Sequence, residues 1–249
     1  MDKRKKFTAV ILLAGSGSRI SDLTRDPKSL LRINNISLLI RNLKLIKLLN
    51  FKEVILVLGY KYKLILNEIK KFSGLKINYT LNENFKKFGN TYSLFLGLKK
   101  SKTDTIIFDG DLIYSKKILE NFIFKGHSSS FLVGQGSLSN KECAKTLIDK
   151  KGNVKKTIDK RFIKNDELKK YKFIGEAVGI IKISKILKKK MIKNLNYFLK
   201  KKKNLKLNWE HFMNQFLVKN NIKYNKTIDN SWIEIDDKKD FIKAKKIFK

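Results

Sequence analysis

Residues 7–19 read FTAVILLAGSGSR, and this stretch decides how the first part of the chain folds. The apolar run 7–13 is short and rich in β-formers, which predicts a buried strand that leads directly into a loop. Small residues at 14–18 let backbone N–H groups come close to a phosphate chain, and Arg19 adds positive charge. The stretch therefore predicts a strand followed by a phosphate-binding loop.

A second basic position follows at Lys28, in the sequence PKSLL at residues 27–31. Two common phosphate loops are excluded, because the chain lacks the Gly-Lys-Ser/Thr of a P-loop and has Ile20 at the third-glycine position of a dinucleotide fingerprint. A glycine-rich turn alone is often only structural, but Arg19 and Lys28 favour a nucleotide site. The residues predicted to bind the nucleotide here are Leu13, Ala14, Gly15, Ser16, Gly17, Ser18 and Arg19.

Strands and helices alternate through the first half of the chain. Apolar runs predict strands at residues 53–58, 76–80 and 105–108, and periodic segments predict helices at 37–49, 60–72 and 90–100. This alternation implies right-handed βαβ units and a mostly parallel sheet that is covered on both faces. We therefore expect an α/β fold, a Rossmann-like three-layer sandwich.

Beyond residue 128 the predicted strands come closer together. They fall at residues 130–134, 142–148, 153–158 and 175–183, with a hairpin turn at 151–153. Helical segments follow at residues 184–216, then strands near 222 and at 232–235 and a helix at 238–248. We expect a smaller antiparallel lobe within one domain, 1–249, because no long linker divides the chain.

Carboxylates follow the strand at 105–108, where Asp109 and Asp111 flank Gly110. Ligands bind at the carboxyl ends of strands in open α/β sheets, and carboxylates there can hold Mg²⁺. Near the C-terminus, the alternating sequence WIEID at 232–236 places Glu234 and Asp236 on one face of a strand. Two interpretations stay open: an edge strand that faces water, or a strand that brings Asp236 to Asp111.

The motifs LLAGSGSR at 12–19 and PKSLL at 27–31 together resemble the signature of the nucleoside-diphosphate-sugar pyrophosphorylase and cytidylyltransferase superfamily. Leu13 departs from the alanine of that pattern, and WIEID is similar to a segment that these enzymes carry near the C-terminus. The resemblance implies Mg²⁺ held by Asp111 and Asp236, and attack of an acceptor phosphate on the α-phosphorus of a nucleoside triphosphate. It also implies catalytic roles for Lys28 and Arg19, a nucleotide-binding part at 1–127 and an acceptor lobe with a closing helix at 128–249.

The segment NTYSL at 90–94 resembles that of phosphocholine and 2-aminoethylphosphonate cytidylyltransferases, which implies CTP and a small phosphorylated amino alcohol or phosphonate as substrates. Asn90 suits either the edge of a pyrimidine or a helix N-cap. Trp209-Glu210 resembles the pair that holds an ammonium in choline-type enzymes, but also fits a packed helix residue beside a solvated one. Asn90 and Ser93 complete the predicted nucleotide site, and the predicted substrate-binding residues are Tyr92, Asp109, Glu176, Trp209, Glu210 and Glu234.

Lys+Arg outnumber Asp+Glu by 57 to 22, a formal net charge of +35 that suggests nucleic acid or an anionic membrane surface. The lysines are spread along the chain instead of forming one basic arm, so nucleic acid is not expected as a partner. No apolar run is long enough to span a membrane, and a single cysteine, Cys143, excludes an intramolecular disulfide. We expect a cytoplasmic protein, and a homodimer stays open.

Three alternatives remain at this stage. A sugar-1-phosphate nucleotidyltransferase would share the loop, the metal and the mechanism. A glycosyltransferase would use Asp109-Gly110-Asp111 as a metal-binding D-x-D pattern, but would have little use for Arg19 and Lys28. A basic nucleic-acid-binding protein is the alternative from another class.

Overall fold

The computed structural model describes residues 7–17, 20 and 22–248. The strands are β1 Thr8–Leu13, β2 Arg32–Ile33, β3 Ile36–Ser37, β4 Glu53–Leu58, β5 Ile77–Leu81, β6 Thr105–Asp109, β7 Leu112–Tyr114, β8 Ser130–Gly134, β9 Lys145–Ile148, β10 Val154–Ile158, β11 Lys172–Ile183, β12 Lys223–Lys226 and β13 Trp232–Glu234. The helices are α1 Leu38–Leu48, α2 Tyr62–Ile69, α3 Asn90–Lys100, α4 Lys116–Lys125, α5 Asn165–Lys170, α6 Lys185–Leu199, α7 Trp209–Lys219 and α8 Lys238–Ile247.

The central sheet is built around four parallel strands in the order β5-β4-β1-β6. Strand β1 lies inside this group, and all six of its residues are buried, as its unbroken apolar run requires. Strand β11 joins β6 antiparallel and pairs with β8 and β9 along its length. The predicted α/β fold class is confirmed, and the antiparallel strands of the second lobe extend the same sheet.

Helices cover both faces of this sheet and give it three layers. On one face, α3, α6 and α7 pack against it through residues such as Leu94, Leu195 and Phe212. On the other face, α1, α2 and α4 form a second apolar cluster. A third, smaller cluster joins the strand pair β7–β13 to α8. Among the described residues, no helix combines the length and the apolarity needed to cross a bilayer.

Several predicted bounds differ from the structure. The helical region predicted at 184–216 is two helices, α6 and α7, because the lysine-rich segment after α6 forms only a short 3-10 turn at Lys202–Asn204. Strand β11 starts three residues earlier than predicted, and β9 starts at Lys145 instead of residue 142. The hairpin turn at 151–153 is confirmed, since β9 and β10 pair antiparallel and Gly152 adopts a positive φ of 71°.

Helix α3 approaches the sheet closely at Gly97. A Cβ added there would lie 2.4 Å from Val10 Cγ1 and 2.9 Å from Val57 Cγ2. We therefore expect Gly97→Ala to destabilise the fold by about 1–3 kcal/mol, despite the better helix propensity of alanine, because the helix must move off the sheet. Urea denaturation measures this change, with Lys99→Ala on the exposed side of α3 as the control. Unchanged stability of Gly97→Ala would contradict the close approach.

Candidate active site

The loop that follows β1 lies at the carboxyl end of the parallel strands. Ala14 and Gly15 line one cavity, and Leu13, Gly15 and Gly17 line a second. Ser16 is exposed and lines neither of these two cavities. Ser18 and Arg19 are outside the described residues, so the nucleotide-binding roles of both and the catalytic role of Arg19 stay predictions.

Lys28 extends from a 3-10 turn, Lys28–Leu30, into the space beside this loop. Its Nζ lies 3.2 Å from Asp111 Oδ2 and 2.7 Å from Asp236 Oδ1. The lysine stem passes over Gly17, where an added Cβ would lie 2.6 Å from Lys28 Cγ and where φ is +65°. Gly17 thus provides both the left-handed turn and the room through which Lys28 reaches the two aspartates.

Two distant segments bring the aspartates together. Strand β13 pairs antiparallel with β7, so that Glu234 lies opposite Leu112, and Ile235 N donates a hydrogen bond of 3.0 Å to Asp111 O. This pairing places Asp236 beside Asp111, as the second of the two interpretations of WIEID predicts. Their role as metal ligands stays a prediction.

Glu234 joins the two aspartates in one carboxylate cluster. One oxygen from each of Asp111, Glu234 and Asp236 lies within 4.8 Å of the others. Burial raises the pKa of Glu234 well above its ordinary value, and repulsion from Asp111 and Asp236 raises it further, while Lys28 opposes the rise. Such a cluster has the oxygen donors that a hard divalent cation prefers, so the residues fit Mg²⁺. The sequence predicted only a substrate contact for Glu234.

Asp109 lies behind this cluster at the end of β6. Burial raises its pKa well above the ordinary range, and repulsion from Asp111, Glu210 and Asp236 adds to the rise. The Trp209 side chain donates a hydrogen bond that opposes the rise. Asp109 therefore lies within electrostatic range of both the carboxylate cluster and the start of α7.

A cavity of about 290 Å³, here called the central cavity, connects these groups. On the side of β5 and α3 it is lined by Asn82, Phe85, Phe88, Gly89, Asn90 and Ser93. On the side of the second lobe it is lined by Glu142, Ala144, Asp159, Lys160, Ala177, Gly179, Asn208, Trp209 and Glu210. Its floor is formed by Leu12, Ala14, Gly15, Asp109, Gly110, Asp111, Glu234 and Asp236. A second cavity of about 260 Å³, the loop cavity, adjoins Lys28, Gly17 and Asp111.

Ser93, one of the predicted nucleotide-binding residues of α3, is hydrogen-bonded to Asn82, a cavity residue that was not predicted from the sequence. Ser93 Oγ accepts a hydrogen bond of 3.0 Å from Asn82 Nδ2. Asn82 follows the carboxyl end of β5, and a polar residue at that point of a parallel strand is the signal that could have found it. Asn90 Oδ1 accepts a hydrogen bond of 2.7 Å from Trp209 N, and Gly89 takes the N-cap position of α3. The N-cap interpretation of Asn90 is therefore wrong for α3, and its amide instead ties α3 to α7.

Two predicted substrate residues lie away from the central cavity, and a third is packed beside it. Tyr92 packs its ring edge-on against Phe88, with centroids 5.0 Å apart, and is not among the described residues that line the central cavity. Glu176 lines a neighbouring cavity of about 880 Å³ that shares Glu142, Glu234 and Asp236 with the central cavity. Trp209 is only 4% exposed and belongs to the core. Its packing agrees with the structural interpretation more than with an exposed aromatic face.

Comparison with known proteins agrees with this geometry. Residues 9–131 match the family model of the MobA-like NTP transferase domain. Choline-phosphate cytidylyltransferase of Haemophilus influenzae is 31% identical over 138 residues, which are 54% of this chain and 55% of that protein. CTP:phosphoglutamine cytidylyltransferase of Campylobacter jejuni is 24% identical over 258 residues, covering 92% of this chain and 96% of that protein.

The fold is shared with a solved structure of CTP:phosphocholine cytidylyltransferase from Streptococcus pneumoniae, with a TM-score of 0.78 and 20% identity over 98% of this chain and 100% of that one. The chain spans about half the length, or less, of several curated relatives that it matches. Residues 9–131 therefore belong to the MobA-like NTP transferase domain family, and the chain as a whole has the fold of the solved cytidylyltransferase.

Proposed function

We propose that this chain is a Mg²⁺-dependent cytidylyltransferase. It transfers CMP from CTP to a small phosphorylated amino alcohol or aminophosphonate and releases pyrophosphate. The observation that carries the proposal is the position of Lys28 between Asp111 and Asp236, at the junction of the central and loop cavities. A site with one cation and several carboxylates suits the transfer of a phosphoryl group between two anions.

Asp111, Glu234 and Asp236 are the residues that would hold Mg²⁺. When bound, Mg²⁺ supplies positive charge that reduces the repulsion between two phosphate groups and helps to orient them. Lys28 neutralises part of the charge of Asp111 and Asp236 through its two ion pairs. The carboxylate cluster and Lys28 therefore form one electrostatic unit.

The chemistry needs positioning more than a base. The acceptor phosphate or phosphonate is an anion near neutral pH, so its oxygen attacks the α-phosphorus directly; a new P–O bond forms, the bond to the β-phosphate oxygen breaks, and pyrophosphate leaves with that electron pair. Lys28 stabilises the charge that grows on the α-phosphoryl oxygens. The loop cavity takes the β- and γ-phosphates through the backbone of Gly15 and Gly17 and through Ser29 Oγ, which is buried and has no hydrogen-bond partner among the described residues.

Asn82 and Ser93 form the base-recognition edge of the site. Because Ser93 Oγ accepts from Asn82, its own proton is directed to another acceptor, such as the carbonyl oxygen O2 of a pyrimidine base. Two relatives that match 54% and 92% of this chain are cytidylyltransferases by name, which supports CTP as the nucleotide, while guanylyltransferases match 43% and 61% of it. The carboxylates Glu142, Asp159 and Glu210, on the second-lobe side of the central cavity, support an acceptor that carries a positive charge.

We expect CTP to give a higher kcat/KM than UTP, dTTP, GTP or ATP. The measurement is pyrophosphate release with each nucleotide against phosphocholine, 2-aminoethylphosphonate, glycerol phosphate and several sugar 1-phosphates. A higher kcat/KM for another nucleotide with every acceptor would contradict the assignment of the base. If the enzyme turned over only sugar 1-phosphates, its function would instead be that of an NDP-sugar-forming enzyme.

A further inference from the structure

The lining of the central cavity is acidic, although the chain as a whole is strongly basic. Seven carboxylates line it against one basic side chain, Lys160, among the described residues, although Lys+Arg exceed Asp+Glu by 57 to 22 overall. Four of the carboxylates belong to the floor: three form the proposed Mg²⁺ site, and the fourth, Asp109, lies beside them. The other three, Glu142, Asp159 and Glu210, lie on the wall of the second lobe and need another explanation.

This acidic wall is held in place by a buried lysine. Lys145 is 0% exposed, and its Nζ donates hydrogen bonds to the carbonyl oxygens of Asn140 (2.6 Å), Cys143 (3.0 Å) and Arg161 (3.1 Å). Lys145 thus ties the loop that carries Glu142 to the loop that carries Asp159. The Arg161 guanidinium in turn donates two hydrogen bonds, of 2.9 Å and 2.7 Å, to the Glu167 carboxylate. Both loops are fixed before any ligand arrives.

Glu210 is the residue of this wall that has a buried oxygen without a hydrogen-bond partner among the described residues. It is the second residue of α7, and a hydrogen bond from its own backbone N–H reaches the carboxylate. Its Oε2 is buried and has no hydrogen-bond partner among the described residues. Burial raises the pKa of Glu210 to about 7, and repulsion from Asp159 adds to the rise, while Lys160 opposes it. A buried acceptor oxygen at a cavity wall requires a donor.

We propose that the acceptor substrate carries an ammonium group with N–H bonds, a primary amine, and that Glu210 accepts a hydrogen bond from it. This inference rests on the proposed function and specifies its substrate class. A primary ammonium supplies both the charge and the donor that Glu210 lacks. A trimethylammonium group supplies only the charge and leaves Oε2 unpaired.

The packing of Trp209, the residue before Glu210, supports the same choice. Quaternary ammonium groups bind to the faces of aromatic rings. Trp209 is buried, directs a side-chain hydrogen bond at Asp109 and packs against Phe131 with centroids 6.4 Å apart. The contacts of Trp209 therefore serve the core and Asp109, and its ring is not offered as an open face to a quaternary ammonium.

Three acceptors of nearly the same length test the proposal: phosphoethanolamine, phosphocholine and propyl phosphate. With CTP and Mg²⁺, we expect kcat/KM for phosphoethanolamine to exceed the values for the other two by roughly 10- to 100-fold, the range for a hydrogen bond to a charged group. In Glu210→Gln, the value for phosphoethanolamine should fall to that for propyl phosphate, which should change little. Glu120→Gln on α4, which contributes no described residue to the central cavity, is the matched control.

The wild-type ranking of the three acceptors decides the proposal even if Glu210→Gln folds poorly. A kcat/KM for phosphocholine equal to or above that for phosphoethanolamine overturns the inference and leaves the proposed function intact. A preference that survives in Glu210→Gln, with CTP affinity and Tm unchanged, also overturns it. So does a preference lost in Glu176→Gln instead, since the ammonium would then lie in the neighbouring cavity. Transfer of CMP to sugar 1-phosphates only would contradict the proposed acceptor class as a whole.

Discussion

Asp111→Asn and Asp236→Asn are each expected to lower kcat by about 10²-fold or more, with the double variant little slower than either single variant. The two carboxylates lie on separate segments that the β7–β13 pair brings together, and both contact Lys28. Each Asn keeps the size of the side chain and removes the charge that a hard cation needs. A metal that has lost one of these carboxylates gains little from the other, so the losses overlap.

Steady-state kinetics at several Mg²⁺ concentrations measure this effect. Each single variant should also raise the Mg²⁺ concentration needed for half-maximal activity, because Glu234 and one aspartate remain to hold the ion. Asp166→Asn, on the exposed start of α5, is the control for a general effect of charge. Losses that multiply in the double variant would show that the aspartates act independently. Full activity of Asp236→Asn with unchanged Mg²⁺ dependence would place the second ligand elsewhere.

The meeting of Asp111 and Asp236 was one of two interpretations that the sequence left open, and the resemblance to the superfamily favoured it. The alternation at 232–236 puts the acidic residues on one face, and the carboxyl ends of parallel strands gather at one edge of a sheet. The strand that completes this contact was not predictable in the same way. Strand β7, Leu112–Tyr114, has three residues, which is too short to show a period.

Helix α4 was missed although its signals are present. Ser115 caps it by accepting a hydrogen bond from Ile118 N, and its buried residues Ile118, Leu119 and Phe122 follow a helical spacing. The sequence analysis made no prediction for this segment, which lies between the aspartates and the second lobe. The cap and the apolar spacing of α4 were therefore present in the sequence, and its apolar face packs in the core of the second face.

The acidic wall of the central cavity could not be predicted. Asp159 and Lys160 occupy a turn after β10, and Lys160 adopts a positive φ of 51° that no residue preference indicates. Lys145 holds this turn by donating hydrogen bonds to Arg161 O, beside the turn, and to Asn140 O, in the loop that precedes β9. A lysine in a chain with 57 Lys+Arg carries no sign of being buried. Such long-range contacts of one side chain with backbone carbonyls appear only in the folded structure.

Lys28→Met is expected to affect catalysis and metal binding in opposite directions. Methionine keeps an unbranched stem that packs over Gly17 and removes the charge, so kcat should fall by about 10²- to 10³-fold through loss of one preorganised cation. In the nucleotide-free protein, however, Nζ of Lys28 competes for the oxygens of Asp111 and Asp236 that would hold the metal. Removal of this competitor should tighten metal binding.

Mn²⁺ binding to the nucleotide-free protein, followed by the EPR signal of the free ion, separates these two effects. Lys28→Met should bind Mn²⁺ more tightly than the wild type while it turns over more slowly, because a positive charge leaves a cluster of three carboxylates. Lys61→Met, which removes a lysine from an exposed ion pair with Asp26, should change neither quantity. Weaker or unchanged Mn²⁺ binding in Lys28→Met would show that the lysine and the metal do not share Asp111 and Asp236. In that case Lys28 would act only on the nucleotide, and the carboxylate cluster would be independent of it.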